Sequence, residues 1–161
     1  MSRFLLLIPA SLCIMLSGCT QKPRVVPEQA QKVIVFSLEC DFDEDKVSEA
    51  DELLHGYLVL GKTEIVSAEA RAELLDAVSD DIASGSTISN CFDPHHAIRV
   101  IDGDTTKDIV ICYQCRGYEQ TENGKLVTTS FPIEVASRAL LNEVLESSGV
   151  PLSPGATENL K

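Results

Sequence analysis

The residues best suited to chemistry in this chain are gathered in two short segments. One reads Cys91-Phe92-Asp93-Pro94-His95-His96-Ala97-Ile98-Arg99; the other, Ile111-Cys112-Tyr113-Gln114-Cys115, ends in a C-x-x-C pair. Three arrangements fit them. In the first, Cys91, His96, Cys112 and Cys115 hold a tetrahedral zinc ion, for which a C-x-x-C pair commonly supplies two ligands from one turn. The spacing of Cys91 and His96 is not that of a zinc finger. In the second, Cys112 and Cys115 form a redox pair. Such pairs stand at a helix N-terminus, where the dipole lowers a thiol pKa. Here the pair follows an Ile-Val-Ile strand pattern, and strand residues three apart point to opposite faces, so exchange requires a sharp bend just after Cys112. The third arrangement is structural. Cys91 bridges one of the strand cysteines, with Cys40 completing the set of thiols, or all four are buried small residues. His95 and His96 then cap a turn after Pro94.

A further set of ligating types is acidic. Asp41, Asp43, Asp45, Glu49 and Glu52 fall at positions 1, 3, 5, 9 and 12 of an EF-hand-like calcium loop. Position 6 is Lys46, where the sharp turn needs glycine, and a strand rather than a helix precedes the segment. The segment therefore reads as a solvated acidic loop, with calcium at Asp41, Asp43, Asp45 and Glu52 as the weaker alternative. Gly61-Lys62-Thr63 resembles the end of a phosphate-binding loop but lacks its first glycine, and no Gly-x-Ser-x-Gly elbow occurs.

The elements that must position these groups follow from periodicity. Val33-Ile34-Val35-Phe36-Ser37-Leu38 is rich in β-branched and aromatic residues and reads as a strand. Residues 55–66 form one bent strand or two short ones, broken near Gly61-Lys62. Ser67 is an N-cap with Glu69 in the first turn, and Ala70, Leu74, Leu75, Val78 and Ile82 make one helical face that Gly85 ends. Residues 96–101 and 108–113 are strands joined by a turn over 102–107. Glu122-Asn123-Gly124-Lys125 is a second hairpin signal, and 126–133 a further strand. A last helix over 134–148 carries Ala136, Leu140, Leu141, Val144 and Leu145, stopped by Gly149 and Pro151. The expected fold is α+β, an antiparallel sheet of about five strands with two helices packed on one face. The domain spans 33–152, preceded by a flexible tether over 19–32 that contains Pro23 and Pro27, and followed by a loose tail over 153–161.

The first eighteen residues are built differently. Met1-Ser2-Arg3 is a positive start, and Phe4 to Leu16 is almost wholly apolar but shorter than the ~20 residues a spanning helix needs. The segment ends in Leu16-Ser17-Gly18-Cys19, which resembles the lipobox of bacterial lipoprotein precursors. That resemblance implies cleavage before Cys19 and acylation of its thiol with a diacylglyceryl group, followed by further acyl chains such as palmitate. Two or more chains make a stable membrane anchor. Thr20, rather than aspartate, implies the outer membrane facing the periplasm in a cell that has one, and otherwise the outer face of the cell membrane. Export permits disulfides, and Cys40, Cys91, Cys112 and Cys115 allow three pairings. With 13 Lys plus Arg against 25 Asp plus Glu, the surface repels phosphate backbones, and nucleic acid is not an expected partner.

The Cys91–Arg99 and Ile111–Cys115 segments together resemble an uncharacterised bacterial family, many of whose members are exported. It shares a Cys-Phe-x-Pro-x-His-x-Ile-Arg segment followed by an Ile-Cys-x-x-Cys strand. The likeness extends over Val59-Leu60-Gly61-Lys62, the first helix and Ser148-Gly149-Val150-Pro151-Leu152, roughly residues 55 to 153. The family pattern carries arginine where this chain has His95. It implies no activity. With an anchor and no complete catalytic constellation, the expectation is a lipid-anchored envelope protein, a non-enzymatic binding or accessory domain with an envelope protein as partner. The alternative is a metal- or thiol-dependent protein using the Cys91/His96/Cys112/Cys115 cluster.

Overall fold

A computed structural model describes residues 30–86, 91–130 and 132–158. The apolar N-terminal segment, Cys19 with its lipobox, most of the tether and the loop before Cys91 lie outside the described residues. The described elements are β1 (Lys32–Glu39), β2 (Leu53–Leu54), β3 (Tyr57–Glu64), α1 (Ala68–Ser84), β4 (His96–Asp102), β5 (Thr105–Cys112), β6 (Gly117–Glu122), β7 (Lys125–Ser130) and α2 (Arg138–Ser147). Short 3-10 turns occupy Glu44–Lys46 and Pro154–Thr157. The strands make one antiparallel sheet in the order β2-β3-β1-β4-β5-β6-β7. None of the described helices is long and apolar enough to cross a membrane.

The α+β class and the antiparallel sheet agree with the sequence reading. The strand count does not: the described residues form seven strands where about five were expected. The unread ones are the two-residue β2 and the polar β6, whose buried side chains include Tyr118, Gln120 and Thr121. A strand that buries amides and hydroxyls has no apolar alternation to reveal it. The β4–β5 turn is also tighter than expected. Asp102 pairs with Thr105, leaving only Gly103-Asp104 between strands, so β5 begins at Thr105 rather than Asp108. Asn123-Gly124 forms the β6–β7 turn, with φ values of 50° and 75°. Both central residues lie in the left-handed region, which matches the twist of the flanking strands.

Alternation divides the sheet into two faces. Val33 and Val35 of β1, Ile98 and Val100 of β4, and Ile109 and Ile111 of β5 share one buried cluster with Leu74, Leu75 and Val78 of α1 and Leu141 and Leu145 of α2. A smaller cluster gathers Phe36, Leu38, Ala97 and Val110 with Leu54, and Tyr57, Val59 and Phe92 pack against it.

Both helices start on side-chain caps, one local and one not. Ser67 Oγ accepts from the Ala70 N–H at 3.3 Å, the local cap that the sequence shows. For α2 the cap comes from α1. Asp81 is buried at 4 % exposure. Its carboxylate accepts from the N–H groups of Ala136 (3.2 Å) and Ser137 (2.7 Å) and from Ser137 Oγ (2.5 Å). A carboxylate there satisfies orphan donors and faces the positive end of the helix. α2 therefore begins at Arg138, four residues later than its apolar pattern suggests.

The tail expected to be loose after Leu152 is packed as far as it is described. Ser153 and Ala156 are 1 % and 2 % exposed, on either side of the Pro154 that opens the second 3-10 turn. Asn142 Nδ2 donates to the Ala156 carbonyl at 3.2 Å and Arg138 Nη1 to that of Glu158 at 2.8 Å. So short a polar segment has no periodicity of its own; contacts from α2 order it.

Candidate functional site

The end of β1 lies beside the start of β4 because the two strands are antiparallel neighbours with Ser37 paired to His96. One residue further on, the Leu38 N–H donates to the His95 carbonyl at 3.0 Å. That pairing sets Glu39 and Cys40 against Asp93 and His95, and the packed C-terminal turn closes the third side with Ser153 and Gly155. The result is a cleft of about 280 Å³, lined by the carboxylates of Glu39, Asp41, Asp93 and Glu158 together with Cys40 and His95.

His95 is its centre. The ring is 7 % exposed, and Nδ1 lies 2.9 Å from Ser153 Oγ and 3.7 Å from Cys40 Sγ. On the opposite side Nε2 is 3.9 Å from the Asp93 carboxylate. Glu39 is held just as firmly. Its Oε1 accepts from the N–H groups of Cys40 and Asp41, both at 3.1 Å, and its Oε2 accepts from Ser153 Oγ at 3.0 Å. The Ser153 hydroxyl thus links the carboxylate to the imidazole. It has a single proton, so when it donates to Glu39 it accepts from the His95 Nδ1–H. Gly155 makes the covering turn possible. A Cβ at that position would overlap the imidazole ring, so only glycine lets the backbone lie against it.

The electrostatics of the cleft hold Cys40 as a thiol. Burial, the hydrogen bond to Asp93 and the negative charges of Asp93 and Glu39 push its pKa up to about 12. A nucleophilic cysteine needs the opposite environment.

The four residues considered as a zinc set are not assembled as one. Cys91 and Cys115 are joined in a disulfide with their Cα atoms 5.5 Å apart. Cys112 is free and buried. Its sulfur accepts from the Cys115 N–H at 3.1 Å, and the N–H groups of Asp93 and Gln114 also face it. Burial outweighs these donors and raises the Cys112 pKa. The bend after Cys112 that a redox pair would require is present, because Arg116 N–H closes a turn onto the Tyr113 carbonyl at 3.3 Å with Arg116 at φ 52°. It serves to carry Cys115 to Cys91. His96 points into the larger core, where Nε2 meets Asn142 Oδ1 at 2.6 Å and the ring stacks edge-on to Tyr113. Burial pushes its pKa down to about 4.

The acidic loop does not form a calcium loop. Glu52 is held by Lys62 Nζ at 2.6 and 2.8 Å, and Asp43 pairs with Lys46 at 2.8 Å while capping the 3-10 turn. The sole grouping of three or more His, Cys, Asp or Glu donors found among the described residues is Glu39, Cys40 and His95.

A second polar cluster lies on the opposite sheet face from the helices. Asp108 is clasped by Arg99 Nε and Nη2 at 2.7 and 2.8 Å and by His55 Nε2 at 2.7 Å. Burial alone would raise the Asp108 pKa, but the Arg99 and His55 hydrogen bonds and charges hold it below the usual carboxylate range. His55 sits in the β2–β3 turn at φ 52°, and its bond to Asp108 shows that the sheet curls until its edge hairpin reaches β5. With both donors in place, the cluster reads as a clamp on the curl.

Glu39, Cys40, His95 and Ser153 come from three distant stretches of sequence. A signal for the first three was present: once 33–38 and 96–101 are paired antiparallel, residues 39–40 must meet residue 95. No protein-family model matches this chain, and neither the curated proteins nor the solved structures contain a match to it.

Proposed function

We propose that this chain is a lipid-anchored protein of the cell envelope whose domain acts as a non-enzymatic binding or accessory module. The observation that carries the reading is the N-terminal segment, a basic start and apolar run ending in Leu16-Ser17-Gly18-Cys19. A thiol placed at that junction is suited to thioether attachment of a diacylglyceryl group, and acyl chains on Cys19 would form the membrane contact. The proposed location is the outer membrane facing the periplasm in a cell that has one, and otherwise the outer face of the cell membrane.

Two features of the domain support this reading. The Cys91–Cys115 disulfide suits an oxidising compartment. The two free thiols of the described residues, Cys40 and Cys112, are both held protonated by burial, with carboxylates adding to the effect at Cys40, which favours binding over thiol chemistry. The partner we propose is another envelope protein, which the acidic surface would meet through basic groups.

The test is replacement of the anchor. In Cys19→Ser, metabolic labelling with a fatty acid should be lost and the protein should leave the membrane fraction. Continued labelling, or membrane retention unchanged by the substitution, would refute the reading.

A further inference from the structure

We propose that Glu39, Cys40 and His95 form a binding site for one divalent transition-metal ion, with zinc the ion that their donor set matches best. The carboxylate oxygen, the sulfur and the ring nitrogen lie within 4.8 Å of one another, which is close enough for a single ion to replace the contacts they now make. One oxygen, one sulfur and one nitrogen are ligands of borderline-soft ions. Calcium and magnesium prefer all-oxygen cages, so sulfur and imidazole argue against them. The zinc chemistry considered for Cys91, His96, Cys112 and Cys115 thus finds a more suitable home around a different cysteine and the neighbouring histidine.

Three further features belong to a metal site rather than to a chance meeting of side chains. The first is orientation. Glu39 is fixed by two backbone N–H groups and the Ser153 hydroxyl, and His95 is wedged between Ser153 and Gly155. The second is the far side of the imidazole. Nδ1 faces Cys40 while Nε2 lies 3.9 Å from the Asp93 carboxylate, too far for a hydrogen bond. That negative charge is still near enough to favour a ring proton on Nε2 and leave Nδ1 as the ligand atom. The third is charge with access. Glu39, Asp41, Asp93 and Glu158 line the cleft and, among the described residues, neither lysine nor arginine does, so a cation is drawn to it. On binding, Cys40 gives up its thiol proton to solvent. Three protein donors leave a fourth position for water or for a group from a partner. The site does not depend on the lipid anchor, so each proposal can fail without the other.

The experiment is a cobalt and zinc titration of the full chain in mild detergent after treatment with chelator. One equivalent of Co²⁺ should bind with tetrahedral d–d absorption and a thiolate-to-cobalt charge-transfer band, and zinc should displace it. Cys40→Ser should abolish the charge-transfer band. Losing an outer-shell group commonly weakens binding roughly 10–100-fold, so Asp93→Asn should weaken it by about tenfold with the band intact. His95→Asn, which removes a ligand itself, should weaken it more than Asp93→Asn does. Cys112→Ser should keep both band and affinity. Because a variant can fail to fold, the unaltered chain supplies an independent readout. The half-buried, protonated thiol reacts slowly, so the chain is exposed to excess alkylating reagent until Cys40, identified by peptide mapping, is labelled without metal; zinc should prevent that labelling. No metal uptake, a band that survives Cys40→Ser, or alkylation of Cys40 unaffected by zinc would each overturn the proposal.

Discussion

Lowering the pH asks the buried imidazole of His96 to accept a proton where water cannot reach it. His96 is 1 % exposed, packed on Tyr113 at 5.5 Å between ring centroids and bonded through Nε2 to Asn142. Burial pushes its pKa from 6.5 down to about 4, while the Asn142 hydrogen bond opposes that fall and the charges of His95 and Arg138 add to it. Between these two values the unfolded chain binds a proton at residue 96 that the folded chain does not. Stability from His96 is therefore complete above about pH 6.5 and is lost as the pH falls toward 4. A gap of that size is worth about 3 kcal/mol, a large share of the 5–15 kcal/mol by which a domain is usually stable. Asp108, with its pKa held below normal, adds a separate loss only at lower pH. The assay is urea unfolding of the full chain in mild detergent at several pH values from 7.5 to 4.5, beside His96→Gln. Glutamine fills part of the space, can still meet Asn142 and does not titrate. The variant will be less stable at neutral pH, so the quantity compared is the change with pH. The wild type should lose about 2–3 kcal/mol more than His96→Gln across this range. Equal losses would show that His96 is not the group that resists protonation.

Two other substitutions test the frame. Asp81→Ala leaves two backbone N–H groups and the Ser137 hydroxyl without their acceptor at the start of α2. It should cost about 3 kcal/mol in urea unfolding, with Asp81→Asn costing less; a loss below about 1 kcal/mol would mean that the cap is dispensable. Cys91 and Cys115 close a loop of sequence separation 24. Replacing both by alanine should lower stability by about 3 kcal/mol in non-reducing buffer and remove any effect of added reductant. A reductant effect that persists in that variant would assign it to another pair.

Residues with strong local signals were readable before the structure. Ser67, the Leu74–Val78 face and Gly85 delimit α1 at the ends it has, and Asn123-Gly124 turns the chain where the hairpin turns. What stayed hidden is held by distant groups. β6 buries Gln120 and Thr121, which look like surface residues in a one-dimensional pattern. The beginning of α2 depends on Asp81, which the α1 pattern gives no reason to expect in the interior. In the candidate site, His95 read as a turn cap, and Glu39 lies just outside the Asp41–Glu52 set that drew notice as an acidic loop. Ser153 and Gly155 fell in a segment expected to be loose, and Cys40 read as a disulfide partner or a buried small residue. Sequence spacing pointed to Cys91, His96, Cys112 and Cys115 because they lie close along the chain or in a familiar pair. The sheet register instead brings Glu39 and Cys40 to His95, and sends His96, one residue on, to the opposite side into the core.

The most direct test of the account is mass spectrometry of the protein extracted from the membranes of cells that make it, digested without reductant. An N-terminal peptide that begins at Cys19 and carries a thioether-linked diacylglyceryl group is expected, together with a cross-linked peptide pair joining Cys91 to Cys115. A chain that still begins at Met1, with Cys19 unmodified and Cys91 and Cys115 recovered as free thiols, would contradict it.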